Sequence, residues 1–272
     1  MVALDAIEAE DAASPPEAGP RPGSVTAQVR TADGEVDWHL PEEEPVALIY
    51  NRRTFAVMLA SPADLIDFGL GFSVAEGVVG TVAEIDDIAV ERLAAGLAVK
   101  ITIPSARAAA LLGRRRALEG RSGCGLCGIE SLEALNRDPP RVTPIPVPPA
   151  AIARALAMLS SHQPMRALNH SVHGAAWADN TGTILVARED VGRHTALDKL
   201  IGALLRGDVD PRSGFAVVSS RCGFELVQKA AMAGIGVLAS VSAPTSLALD
   251  MARRAGMTLA AAAPDGTAVT FV

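Results

Sequence analysis

Beyond residue 150 the chain alternates short β-branched or apolar runs with segments of helical period, and few architectures accept that order. A helix is expected from about Ala150 to Ser161, then strands at His170 to Ala178 and Thr183 to Arg188 around an Asn180-Thr181-Gly182 turn. A helix over Val191 to Arg206 follows. Strands at Phe215 to Ser219, Val237 to Val241 and Thr258 to Ala261 then alternate with helices at Phe224 to Ala233 and Thr245 to Ala255. This α-β-β-α-β-α-β series, extended by one helix and one strand, predicts an α/β domain with helices packed on a sheet.

Upstream the pattern differs. Val46 to Tyr50 and Thr54 to Ala60 flank Asn51-Arg52-Arg53 and read as a hairpin. Ser61-Pro62-Ala63-Asp64 reads as an N-cap, an early proline and a first-turn carboxylate for a helix through Leu65, Phe68, Phe72 and Val79. Strands at Ile85 to Val90 and Leu97 to Ile103 precede an alanine-rich helix capped by Ser105 and ending in Arg114-Arg115-Arg116. Between the two patterns Asp138 to Pro149 is too dense in proline for helix or central strand. The expected organisation is therefore an unstructured tail over residues 1–35, a small α+β domain over 36–140 and a second domain over 141–272. The start of the chain is rich in Ala, Pro, Glu and Asp without apolar period, so it lacks the burial that offsets ordering entropy.

The 272 residues are 49% hydrophobic and 20% charged, enough for a core without disulfide staples, and three cysteines make no disulfide framework. With no basic-then-apolar leader and no apolar run near the roughly 20 residues of a bilayer span, a cytoplasmic protein without a membrane segment is expected. A net charge of -7 argues against nucleic acid as the main partner.

The strongest chemical signal is Gly123-Cys124-Gly125-Leu126-Cys127-Gly128. Two thiols at this spacing can share a metal, form a redox disulfide or pass a sulfane sulfur, and the glycines leave them accessible. A structural zinc needs further ligands, which His170 and His173 could supply only from the other domain. A thioredoxin-like dithiol opens a helix after a strand, whereas this pair follows an arginine-rich helix end. Arg114, Arg115, Arg116 and Arg121 favour thiolate, so a nucleophilic sulfur is the preferred reading.

The second signal is three turns that follow strands: Arg188 to His194, Ser219 to Gly223 and Ser242 to Ser246. In an open α/β sheet such turns gather beyond the carboxyl ends of the strands, where helix starts offer N–H groups to an anion. Arg193, His194 and Arg221 would add donors. Glu189 and Asp190 fit either an acid/base pair or a cap with a salt-bridge partner. Cys222 reads as a packing residue. His170 and His173, three apart on an extended chain, would face opposite sides.

These residues resemble one family, the formate dehydrogenase accessory sulfurtransferases. The likeness runs from about Val46 to Leu259. It is carried by Phe55-Ala56-Val57-Met58-Leu59-Ala60-Ser61-Pro62, Cys124-Gly125-Leu126-Cys127-Gly128, Arg188-Glu189-Asp190-Val191-Gly192-Arg193-His194, Ala196-Leu197-Asp198-Lys199, Gln228-Lys229-Ala230-Ala231 and Ser242-Ala243-Pro244-Thr245. The resemblance implies a cytidine-deaminase-like three-layer α/β/α C-terminal domain with a mixed sheet. It also implies a homodimer. Members accept persulfide sulfur from a cysteine desulfurase and deliver it to the molybdenum or tungsten bis-guanine-dinucleotide pterin cofactor before insertion into apo-formate dehydrogenase. By that likeness Cys124 carries the persulfide and Cys127 relays it. His173, Asp190, Arg193, His194, Ser219, Arg221, Ser242 and Thr245 would line the cofactor pocket, with GDP as a partial mimic and no zinc. Deaminase chemistry does not follow, because Asp190-Val191-Gly192 and Arg221-Cys222-Gly223 stand where that chemistry needs His-x-Glu and Pro-Cys-x-x-Cys. The chain departs from its relatives at Val172-His173-Gly174, at Ser219-Ser220-Arg221 and over Ala260 to Asp265, which lacks their aromatic and basic residues.

Overall fold

The computed structural model describes residues 23–111 and 139–271. Strands β1 (Ser24–Thr31) and β2 (Gly34–Pro41) form an antiparallel hairpin, where the sequence reading expected no structure before residue 36. Two local signals account for it. Asp33-Gly34 lies at the turn, and Val25, Ala27 and Val29 alternate with polar residues, opposite Leu40, Trp38 and Val36. That face is half-exposed, so no buried core announced the strands.

Strands β3 (Glu44–Tyr50) and β4 (Arg53–Ala60) are the expected hairpin, closed by Asn51 and Arg52, both at positive φ. With β5 (Asp87–Leu93) and β6 (Gly96–Thr102) they build a four-stranded sheet in the order β4-β3-β6-β5, in which β3 and β6 run parallel. Helix α1 (Leu65–Ala75) covers this sheet, and α2 (Ser105–Leu111) follows β6. Phe68 and Phe72 of α1 pack with Tyr50, Phe55, Val99 and Ile101.

Residues 139–148 carry neither helix nor strand, as their prolines require. Helix α3 (Pro149–Met158), a short 3-10 turn (Leu159–His162) and α4 (Pro164–Asn169) lead into β7 (His173–Asp179) and β8 (Ile184–Asp190). Then come α5 (Arg193–Arg206), β9 (Gly214–Val218), α6 (Phe224–Met232), β10 (Val237–Ser240), α7 (Ser246–Ala255), β11 (Thr258–Ala262) and β12 (Ala268–Phe271). The six strands lie in the order β12-β11-β10-β9-β7-β8, with β9, β10 and β11 parallel and β7 and β12 antiparallel to their neighbours.

Strand alternation divides the core of this sheet. Ala176, Phe215, Val217, Val237 and Ala239 face α3, while Ala175, Trp177, Ala216, Val218 and Leu238 face α5, α6 and α7. Helices thus cover both sides of a mixed sheet. Helix α4 and strand β12 are further elements without a counterpart in the expected order: His170, expected on a strand, is an exposed left-handed residue ending α4. No helix among the described residues is long and apolar enough to cross a membrane.

The two sheets share α1, which is buried almost all round because it lies against α5 as well as its own sheet. The crossing is close. A Cβ built on Gly71 would sit 1.8 Å from the Asp198 carbonyl oxygen, and one on Gly202 would sit 1.8 Å from that of Asp67. Backbone cannot retreat from such a contact as a side-chain tip can. Gly71→Ala and Gly202→Ala should each force the helices apart and cost at least about 2 kcal/mol, measured by urea denaturation.

Candidate functional site

The parallel run of β8, β9 and β10 puts their carboxyl ends on one edge, beside the start of antiparallel β7. Backbone bonds stitch the turns there together. Ser219 N–H donates to the Gly174 carbonyl at 2.9 Å while Ser219 Oγ accepts from Gly174 N–H at 2.8 Å. Val241 N–H reaches the Val218 carbonyl, and Thr245 N–H reaches that of Cys222, both at 3.0 Å. Thr245 Oγ1 accepts from Ala248 N–H at 3.2 Å and caps α7. By contrast α5 and α6 begin at Gly192 and Gly223, which cannot cap. Their first-turn N–H groups point beyond the sheet edge with the positive ends of the helices.

His173 opens β7 half-buried, and its Nδ1 is buried without a hydrogen-bond partner among the described residues. Burial pulls its pKa below the ordinary 6.5, and the nearby Arg193 and Arg166 guanidiniums pull it further. The imidazole is therefore neutral at pH 7 and still able to donate or accept. Arg193 is half-buried at the first position of α5 and His194 is 7% exposed behind it. Arg221, Ser242 and Thr245 are exposed on the neighbouring turns and Ser219 is half-buried between them. The structure thus gathers seven of the eight expected pocket residues at one sheet edge.

Asp190 is the exception. It is fully buried and faces inward, paired with Lys199 Nζ at 2.7 Å, while its carboxylate accepts from Ser61 N–H at 2.9 Å and Gly192 N–H at 2.7 Å. Burial pushes its carboxyl up, against the pull of Lys199. At 0% exposure this side chain is turned to the protein interior and its three partners there. Glu189 accepts from the N–H groups of Met165 and Arg166, both at 2.8 Å, and caps α4. The cap and salt-bridge account of this acidic pair is the one observed.

Ser61 is not the cap of α1. Asp64, in left-handed conformation, precedes that helix, whereas Ser61 Oγ accepts from Val191 N–H at 3.2 Å. Sequence reasoning also missed Lys199 and Arg166. The first sits one helical turn and a half beyond Arg193 on a buried face, and only its charge amid apolar neighbours signalled a partner. Cys222 is 1% exposed, and burial pushes its thiol up to about 12, which agrees with packing and excludes a thiolate at neutral pH. Cys124 and Cys127 lie outside the described residues.

The model of the FdhD/NarQ family matches residues 41–271, across both sheets and the Cys124 to Cys127 stretch. The chain belongs to that family. It is 49% identical over 263 residues to the sulfur carrier protein FdhD of Xanthomonas euvesicatoria pv. vesicatoria, covering 95% of this chain and 94% of that one. The sulfur carrier protein FdhD of Bordetella petrii is 50% identical over 219 residues, covering 80% of this chain and 79% of its own. The crystal structure of a protein described as a formate dehydrogenase accessory protein from Desulfotalea psychrophila superposes with a TM-score of 0.71 at 27% identity, covering 92% of this chain and 96% of that chain. The mixed α/β architecture is therefore that of the FdhD/NarQ family.

A histidine whose folded pKa is depressed stabilises the fold above its unfolded pKa, and that stability is lost as pH falls through the folded value. NMR titration of His173 should accordingly give a midpoint below 6.5, and Arg193→Gln should raise it by removing a neighbouring cation. An unchanged midpoint in that variant would place Arg193 away from the imidazole.

Proposed function

We propose that the protein takes sulfane sulfur onto Cys124 from a cysteine desulfurase and delivers it to the molybdenum or tungsten bis-guanine-dinucleotide pterin cofactor that serves formate dehydrogenase. The observation that carries this reading is Cys124-Gly125-Leu126-Cys127 within a chain about half identical to sulfur carrier proteins. The accessory-protein relative supports formate dehydrogenase as the recipient.

The chemistry balances with the two cysteines. Cys124 thiolate attacks the outer sulfur of the donor's cysteine persulfide, the donor's cysteine leaves as thiolate, and Cys124 holds the sulfur as a persulfide. Passing it on as sulfide requires two electrons. Attack of Cys127 thiolate on Cys124 Sγ supplies them: a Cys124–Cys127 disulfide forms, hydrosulfide leaves, and a cellular thiol later reduces the pair. Arg114, Arg115, Arg116 and Arg121 in the same stretch favour the thiolates by charge.

The sheet edge offers what a guanine dinucleotide needs. Uncapped starts of α5 and α6, with Arg193 and Arg221, suit diphosphate, and the neutral His173, Ser219 and Ser242 suit the polar edge of a base. GDP is the partial mimic, and the metal of the cofactor is cargo rather than a resident ion. The cysteine stretch would meet this edge in a homodimer or within one chain.

Intact-protein mass spectrometry after incubation with a desulfurase and cysteine should show one added sulfur on the wild type and none on Cys124→Ala. Cys124→Ala should still bind GDP but fail to activate apo-formate dehydrogenase, and Cys127→Ala should load sulfur yet stall at release. Full activation by Cys124→Ala, or stoichiometric zinc lost on replacing either cysteine, would replace this reading with a structural one.

A further inference from the structure

The turn that starts α5 is held by the other half of the molecule. Ser61, at the joint between β4 and α1, presents three groups to it. Its N–H donates to Asp190 Oδ2 at 2.9 Å, its carbonyl accepts from Lys199 Nζ at 2.9 Å, and its Oγ accepts from Val191 N–H at 3.2 Å. Lys199 also reaches the Glu189 carbonyl at 3.4 Å, and Asp190 Oδ1 takes Gly192 N–H at 2.7 Å. Every turn group from Glu189 to Gly192 named here is thus fixed by buried atoms, and Ser61, Asp190 and Lys199 are each at most 1% exposed.

The next residue is Arg193. The helical bonds begin with Ala196 N–H on the Gly192 carbonyl, so whatever fixes Gly192 fixes the direction of the first turn. We propose that Ser61, Asp190 and Lys199 are positioning residues, a buried clamp through which the N-terminal half aims the start of α5 and Arg193 at the anion bound on the sheet edge. The clamp rests on the cofactor reading above for the identity of that anion, and on geometry alone for its effect on the turn. A stabilising ion pair alone would not need Ser61: an apolar pair of similar volume stabilises as well. What apolar groups cannot do is accept from the N–H groups of Val191 and Gly192.

The test separates aim from stability. Ser61→Ala removes only the hydroxyl acceptor, and the Asp190→Asn/Lys199→Met double variant removes both charges together, so that neither is left buried alone. Tyr50→Phe, which removes a 2.7 Å bond to Ser73 in the same N-terminal half, is the stability control. For each, amide exchange at Val191 and Gly192, GDP affinity by calorimetry and melting temperature are compared with wild type. Ser61→Ala should speed exchange at Val191 and weaken GDP binding, each on the order of ten-fold, the equivalent of one buried hydrogen bond. The double variant should lose more of both, and Tyr50→Phe should melt earlier with affinity unchanged. Unchanged exchange and affinity in Ser61→Ala, with a melting shift like that of Tyr50→Phe, would overturn the clamp. If wild type fails to bind GDP, the cofactor reading falls. Exchange then decides alone: acceleration at Val191 and Gly192 upholds the clamp and wild-type rates overturn it.

Discussion

The two halves of this molecule are joined by one helix crossing with no side chain between the backbones. Gly71 of α1 and Gly202 of α5 each lie where a Cβ would strike the facing carbonyl. That approach fixes how near the sheets stand, and charges then fix their register. Asp67 on α1 takes Arg188 Nη2 at 2.8 Å and Arg206 Nη2 at 3.1 Å, reaching the end of β8 and the end of α5. Lys229 on α6 bridges Asp198 on α5 and Glu76 just beyond α1, at 2.9 Å to each, and lies over the Phe72 ring. Lys229–Asp198 lies within the second half, whereas the Asp67 pairs and Lys229–Glu76 span the two halves and would be lost if the crossing opened.

Much of the architecture was legible because it is written in local period. The alternation after residue 150 gave the order of strands and helices, and the turns at 188–194, 219–223 and 242–246 do meet at one edge because the strands preceding them run parallel. The β1–β2 hairpin escaped because its apolar face is half-exposed and its neighbours upstream are acidic and proline-rich, and composition outweighed an Asp-Gly turn. Helix α4 escaped for a different reason. Six residues give too few turns to show a period, and its start is capped by Glu189, 24 residues ahead.

The site was legible to the extent that its members act alone. Arg193, His194, Ser219, Arg221, Ser242 and Thr245 sit on turns whose position follows from topology. Asp190 was placed in the pocket by the family resemblance although its partner Lys199 stands on the following helix, and Ser61 was misread by a local rule as a helix cap because its partner Val191 lies about 130 residues away. No window of sequence contains both. A serine before Pro-Ala-Asp looks like a cap by itself, and only the fold shows that its hydroxyl faces another turn.

The buried charges are not of one kind. Around Lys229 the three groups satisfy one another and the Phe72 ring, so that cluster selects register and could in principle be rebuilt from apolar residues. Around Asp190 the carboxylate instead answers two backbone N–H groups and the ammonium answers two backbone carbonyls. An apolar substitute there would take a buried partner from the N–H groups of Ser61 and Gly192, a cost that an apolar pair does not offset. The polar residues nearest the candidate site are therefore required by the backbone they hold, and that backbone is the turn from which Arg193 projects. The turn from which Arg193 projects and part of the contact between the two halves are therefore held by the same few atoms of Ser61, Asp190 and Lys199.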